Sequence, residues 1–244
     1  MGKVTVITSG KGGTGKSTVT AGLGAALVRR GNRVLIIDCD AGMRGIDLML
    51  GVSGELVFDI ADIVSGNCPP ASAIYPCKTV AELFVLPAPS DVRDEISPYI
   101  MKQLVGVLKK YYDHILIDCP AGIGIGTEAA ATPADRAVLV ANTEPLTLRG
   151  CDKVRQMLYD IGIKNCRLII NRFVERNFRK LGAFTDLDEV IDKAGARLLG
   201  IVPEDNAAVS RAQKGLPIEG KFKAVYALDR IAARLDGVDV PLDL

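Results

Sequence analysis

The sequence predicts an α/β fold: one mostly parallel, twisted sheet with helices on both faces. Three observations lead there. Short apolar runs recur along the chain, and they are nearly continuous Val, Ile and Leu rather than alternating, as in strands buried on both faces. Helical patterns lie between them, and strand–helix alternation of this kind builds a parallel sheet wrapped by helices. The chain has 244 residues, enough for one domain that buries about 70–75% of its unfolded surface. It shows no internal repeat and no low-complexity linker, so residues 1–244 are read as a single domain.

The elements follow in order. "KVTVIT" (3–8) is the first strand, and a glycine-rich stretch leads from it into a helix over 16–30, "KSTVTAGLGAALVRR", stopped by Gly31. "RVLIID" (33–38) is the second strand. The stretch 64–78, "VSGNCPPASAIYPCK", is the most loop-like and is read as a connection within the domain. "LFVLPA" (83–88) is a strand, and a helix over 97–110 opens with Ser97 as N-cap and Pro98 at the first helical position. "HILIDC" (114–119) and "AVLVAN" (137–142) are strands, then comes a helix over 149–161. "RLIIN" (167–171), a helix over 186–195, "LLGIVP" (198–203) and helices over 205–214 and 222–235 complete the pattern, and residues 237–244 form a short acidic tail.

Composition narrows the function. Hydrophobic content is 48%, charged content 24%, and 30 basic residues against 29 acidic ones leave a net charge of +1. That balance offers neither a polyanion-binding tail nor an acidic solvating arm, which speaks against a nucleic-acid partner. No apolar run approaches the ~20 residues of a membrane span. "MGKVTVITSG" lacks the layout of a signal peptide, and Val6 stands where myristoylation needs Ser or Thr, so a cytoplasmic protein is expected. Cys39, Cys68, Cys77, Cys119, Cys151 and Cys166 are scattered singly with one histidine, His114. Without a C-x-x-C pair they read as small buried hydrophobes in a reducing compartment, and against zinc or a thiol-ligated iron–sulfur cluster.

The strongest motif is the glycine-rich stretch. Gly10-Lys11-Gly12-Gly13-Thr14-Gly15-Lys16-Ser17-Thr18 stands between a strand and a helix, the context a P-loop requires. Glycines there let backbone N–H groups turn toward an anion, and the helix N-terminus adds partial positive charge. Lys16 can reach the β- and γ-phosphates of ATP, and the Ser17 hydroxyl can ligate Mg2+. The fold is therefore that of a P-loop NTPase. Magnesium also needs carboxylates: Asp38 ends one strand, and Asp118 ends another after Ile115-Leu116-Ile117, the Walker-B form. Both would lie at carboxyl ends of strands, where open α/β sheets bind ligands, and could hold the ion directly or through its waters. Asp40 is placed to orient the attacking water.

Residues 11–18 match the K-G-G-x-G-K-[ST]-[ST] loop of the deviant Walker-A ATPases, and the chain resembles that MinD/ParA family, nearest its septum-site-determining branch. The likeness extends over "IIDCDAGMRGIDLMLG" (36–51), "ILIDCPAGIG" (115–124), "VLVANTEPLTLRGCDKV" (138–154), "LIINRF" (168–173) and "GIVPEDNAAVSRAQKGLPI" (200–218). It implies a role for the second lysine of the loop. In these ATPases two ATP-bound subunits face each other, and the residue matching Lys11 reaches the partner's phosphates, supplying charge in trans as an arginine finger does. The resemblance also implies an ATP-dependent homodimer, slow hydrolysis stimulated by a protein regulator of the MinE type, and a task in selecting the division site or in related spatial positioning. It places Asn171 and Arg172 in an adenine pocket, with Pro203 and Asp205 near the base or ribose. The nitrogenase iron protein and iron–sulfur scaffold ATPases of the family bridge their subunits with cysteines, and neither Cys119 nor Cys151 sits in such a motif.

The sequence departs from the family in two places. Septum-site members commonly end in a basic amphipathic helix that binds membrane, with Lys and Arg on one face. Here the end reads "KAVYALDRIAARLDGVDVPLDL", where Asp229 and Asp236 balance Arg230 and Arg234, so a helix packed on the domain is expected. Gly45 stands where the family commonly has Asn. Two other functions compete. A ParA-type partition ATPase would bind non-specific DNA through Arg172, Arg176, Arg179 and Lys180, with steep salt dependence. A metabolic P-loop enzyme such as an amidoligase would need a second substrate pocket, for which no segment is evident.

Overall fold

In the computed structural model, residues 1–41, 44–91, 96–216 and 218–242 are described, position 181 by its backbone alone. The strands are β1 (Lys3–Thr8), β2 (Val34–Asp38), β3 (Tyr75–Pro76), β4 (Leu83–Leu86), β5 (His114–Asp118), β6 (Arg136–Ala141), β7 (Cys166–Phe173) and β8 (Arg197–Pro203). The helices are α1 (Lys16–Arg29), α2 (Gly45–Met49), α3 (Ile60–Val64), α4 (Pro98–Leu108), α5 (Ile125–Ala131), α6 (Pro145–Asp160), α7 (Glu175–Leu181), α8 (Leu187–Ala194), α9 (Asn206–Gln213) and α10 (Lys223–Leu235).

One sheet in the order β3-β4-β2-β5-β1-β6-β7-β8 holds the fold together. Every pairing is parallel except β3 with β4, where Tyr75 faces Val85 and Pro76 faces Phe84. This outermost strand lies inside the stretch read above as a loop. Two residues carry no periodicity, and a proline is tolerated there because an edge strand needs no second ladder of hydrogen bonds. The parallel strands fall within two residues of their expected runs.

Alternate residues of each strand feed two separate cores. In β5, Ile115 and Ile117 pack with Met101, Leu104, Leu148 and Leu158 on one face, while Leu116 packs with Leu23, Leu27, Leu228 and Ile231 on the other. Helices therefore cover both faces, and the strands read as unbroken apolar runs because neither face sees water.

Ser97 caps α4 as expected, accepting the N–H of Ile100 at 3.3 Å, with Pro98 behind it. α6 begins four residues before its expected start because Pro145, not position 149, is its first residue; its polar opening "PLTLR" hid the helical period. α10 packs on the domain through Ala224, Val225, Ala227, Leu228, Ile231, Ala232, Ala233 and Leu235. The approach is close: a Cβ added at Gly22 of α1 would lie 2.6 Å from Leu228, and one at Gly200 of β8 would lie 2.4 Å from Ile231. Arg29–Asp229 (2.6 Å) and Arg30–Asp236 (2.7 Å) close the edge of that seam. Of the acidic tail, 243–244 lie outside the described residues.

Candidate nucleotide site

β1 sits in the middle of the sheet, so the loop that follows it emerges between the carboxyl ends of β5 and β6, a topological switch point of the kind where α/β sheets bind ligands. The loop turns on Gly13 (φ 81°) and Gly15 (φ 83°), both left-handed, where a side chain would be strained. It is pinned at both ends. A Cβ on Gly10 would lie 2.2 Å from the Gly150 backbone in the first turns of α6, and one on Gly15 would lie 2.4 Å from Asn171 Nδ2. Asn171 donates from Nδ2 to the Thr14 carbonyl at 2.8 Å. At Gly12 and Gly13 an added Cβ meets nothing within 4 Å. Gly10→Ala is expected to destabilise the chain by about 3 kcal/mol in denaturant unfolding, because the blocking atoms are backbone on both sides; Gly12→Ala should change stability by less than about 1 kcal/mol. Equal losses at the two positions would contradict this packing.

Asp118, at the end of β5 and fully buried, gathers the charge of the site. Its Oδ2 accepts from Ser17 Oγ at 2.6 Å and lies 3.0 Å from Lys16 Nζ, while its Oδ1 accepts from Thr20 Oγ1 at 2.8 Å. Burial pulls the Lys16 ammonium down and Asp118 pushes it up; the attraction wins, so Lys16 stays charged although it is 7% exposed. The distance to Asp118 is that of an ion pair, yet no well-directed hydrogen bond satisfies Nζ, and Thr14 Oγ1 also has no partner. A buried, unsatisfied ammonium beside an open glycine turn fits a multivalent anion such as a nucleotide phosphate.

Asp38 ends β2 directly beside Asp118 in register. Burial, and then the neighbouring Asp118 charge, push its carboxyl from the ordinary 3.8 up to about 7, against the N–H groups of Asp40 (2.9 Å) and Ile46 (3.4 Å) that favour the anion. A carboxyl with its folded value raised keeps its proton longer in the folded chain. Its contribution to stability is therefore complete below about pH 4 and is lost as the pH rises through about 7. Asp38→Asn cannot ionise, so without nucleotide it should be more stable than wild type at pH 8 by roughly 2–4 kcal/mol, the two converging toward pH 4. Calorimetric melts at the two pH values check this, and a variant no more stable at pH 8 would refute it.

These donors also fit magnesium. Among the described residues no three His, Cys, Asp or Glu side chains cluster as a closed metal cage. Magnesium does not ask for one, since it keeps waters and takes one or two carboxylates plus phosphate oxygens; Ser17, Asp38 and Asp118 lie together for that. Asp40 follows on the loop after β2, half buried. Of the switch-like stretch 36–51, positions 42–43 lie outside the described residues, and Gly45 is the first residue of α2.

Lys11 takes a different position. It is about half exposed at the loop rim, and its Nζ donates to Glu144 Oε2 at 3.2 Å. That hydrogen bond holds the Glu144 carboxyl below the usual range. Beside Gly15 and Thr18 a cavity of about 290 Å³ opens, and Asn171, Arg172, Pro203 and Asp205 all line it, with Val209 and Leu228 as apolar wall. Arg172 adopts φ 56°, reaching the Gly13 carbonyl and Glu204, both at 3.4 Å. Asp205 is committed to backbone: its Oδ1 accepts the N–H groups of Ala207 and Ala208 at 3.1 Å, capping α9, and its Oδ2 accepts from Ala224 at 3.5 Å.

Three participants escaped the sequence reading. Thr20 lies four residues after Lys16, on the same helix face, and that spacing could have found it. Glu144 stands directly before the helix-opening Pro145, and Gly150 gave no signal, since its role exists only against Gly10. No helix among the described residues is long and apolar enough to cross a membrane.

Known proteins resemble this chain in sequence and in fold. Residues 5–218 match the CobQ/CobB/MinD/ParA nucleotide binding domain. The chain is 36% identical to the septum site-determining protein MinD of Bacillus subtilis (strain 168) over 249 residues, 100% of this chain and 92% of that protein. The fold superposes on a chain of the MinC:MinD cell division protein complex of Aquifex aeolicus with a TM-score of 0.91 and 37% identity, covering 99% of this chain and 98% of that one. It also matches the septum site-determining protein MinD of Pyrococcus horikoshii OT3 complexed with Mg-ADP, with a TM-score of 0.86 and 31% identity over 97% and 96% of the two chains.

Proposed function

The chain belongs to the CobQ/CobB/MinD/ParA family of nucleotide-binding domains, and from that premise we propose that it is an ATP-driven dimerisation switch of the MinD type, acting in the choice of the cell-division site. The observation that carries this reading is the unequal state of its two loop lysines. Lys16 is buried against Asp118, where it serves a nucleotide in its own subunit. Lys11 is exposed at the rim and held by one surface carboxylate, free to exchange that partner for a phosphate presented by a second subunit. Such a site is incomplete in one chain, so hydrolysis waits for the dimer.

The other residues take roles to match. The backbone N–H groups of 12–16 cradle the phosphates, and the Asn171–Arg172–Pro203 wall receives the base. Asp40 orients the attacking water. Magnesium, held by Ser17 with Asp38 and Asp118, would supply positive charge at the phosphate oxygens. The Mg-ADP bound to the Pyrococcus relative supports nucleotide and metal together, and the MinC partner of the Aquifex relative supports a protein regulator here. A DNA-riding role has less support: of its four cations, Arg172 is paired with Glu204 and Arg179 with Glu175.

Light scattering of an Asp40→Ala variant tests the reading, since binding without hydrolysis should trap the ATP state. With ATP and magnesium the mass should double, and with ADP it should not. A monomer under both conditions would falsify the switch.

A further inference from the structure

Thr20 lies one turn into α1 from the phosphate loop, and its side chain is fully buried. Apart from Lys16, every other buried residue of this helix is Val, Ala, Leu or Gly. A threonine inside a helix ordinarily satisfies its hydroxyl on the carbonyl four residues back. That acceptor is present, for the Lys16 carbonyl oxygen lies 3.0 Å from Thr20 Oγ1. A second acceptor lies closer: Asp118 Oδ1, at 2.8 Å. One hydroxyl proton cannot serve both fully, and an ionised carboxylate attracts it more strongly than a neutral carbonyl. Packing alone does not ask for this second bond.

The other oxygen of Asp118 is held from the same helix. Ser17 Oγ donates to Oδ2 at 2.6 Å, and positions 17 and 20 share one helix face. Two hydroxyls of α1 thus grip the two oxygens of one carboxylate and fix its plane. Lys16 Nζ also lies 3.0 Å from Oδ2, but no well-directed hydrogen bond satisfies it. Once that lysine turns to a phosphate, the two hydroxyls alone hold Asp118. While Asp118 takes the Ser17 proton, the lone pairs of the Ser17 oxygen are left for a cation. That division fails if the carboxylate rotates, and among the described residues Thr20 is the one side chain that holds Oδ1.

We propose that Thr20 is a positioning residue for magnesium: it clamps Asp118 so that Ser17 presents its lone pairs to the ion. This inference rests on the nucleotide and magnesium reading above. Side chains that orient a metal ligand without touching the metal commonly carry about 10- to 100-fold of metal affinity. Thr20 does not line the base cavity, so nucleotide binding without metal should not depend on it.

Magnesium titrated by calorimetry into the ADP complex reads this directly, with ADP affinity in chelator as the control. The proteins compared are wild type, Thr20→Val, Thr20→Ala and Thr20→Ser. Val and Ala both remove the hydroxyl but differ in bulk, so poor folding of one does not silence the test. Thr20→Val and Thr20→Ala are expected to bind magnesium about 10-fold or more weakly, with ADP affinity in chelator unchanged, and Thr20→Ser to match wild type. Magnesium affinity kept by Thr20→Val overturns the proposal. So does an equal loss in Thr20→Ser, which would assign the effect to packing, or a matching loss of ADP affinity in chelator, which would assign it to the loop. A wild-type chain that binds no Mg-ADP would refute the nucleotide reading and this inference with it; failure confined to the variants leaves that reading standing.

Discussion

Lys16→Ala is expected to lower the affinity for Mg-ADP by at least about 100-fold, because breaking a buried charge pair typically costs about 3–5 kcal/mol. The loss has two parts. The phosphates lose a cation already desolvated and aimed at them, so the cost of burying it in the folded chain brings no return in binding. In addition, Asp38 and Asp118, adjacent in register at the ends of β2 and β5, lose the positive charge that makes their proximity tolerable. Asp38 already tends to hold a proton near neutral pH, and without Lys16 it will hold it more firmly, which opposes magnesium. Affinity should therefore fall further at pH 6 than at pH 8. Titration calorimetry at both pH values measures this, and an affinity within threefold of wild type would show that Lys16 is not a phosphate ligand.

Lys11→Ala is expected to behave in the opposite way: Mg-ADP affinity within about threefold of wild type, but stimulated hydrolysis down by roughly 10³, the lower range for removing a charge supplied in trans. The lost pair with Glu144 is a surface ion pair, so stability should change by less than about 1 kcal/mol. Mixing gives a decisive form of the test. In a mixed dimer of Lys11→Ala and Asp40→Ala subunits, the ATP held by the Lys11→Ala chain keeps its own Asp40 and receives Lys11 from its neighbour. Activity should then reappear on mixing two inactive proteins, approaching a quarter of the wild-type rate per total chain. If mixing restored nothing, Lys11 would act within its own subunit.

What the sequence disclosed, and what it hid, follow one physical division. Strands buried on both faces, such as "HILID", need unbroken apolar residues, and that run is visible in any window. Asp38 and Asp118 are legible as strand-end carboxylates because the sheet order places strand ends together. The short helices α2, α3, α5 and α7 span five to seven residues, fewer than the two or three turns a helical period needs to declare itself, and packing decides them. Likewise Glu144 becomes interesting only once α6 carries it to Lys11, and Gly150 only once its backbone meets Gly10. Arg172, Arg176, Arg179 and Lys180 stand close enough in the sequence to suggest DNA binding; in the fold Arg172 and Arg179 already have carboxylates.

The two pinned glycines give the phosphate loop a definite kinematics. Gly10 bears on α6 and Gly15 on Asn171, with no clearance at either point, and open space beside the backbone lies between them, at Gly12 and Gly13. Lys16 lies beyond that interval on the α1 side, buried against Asp118. Lys11 lies next to Gly10 on the α6 side, half exposed. The helix that Gly10 bears on is the one whose N-cap residue, Glu144, holds that lysine. A push on α6 from outside would therefore reach the lysine without passing through the nucleotide.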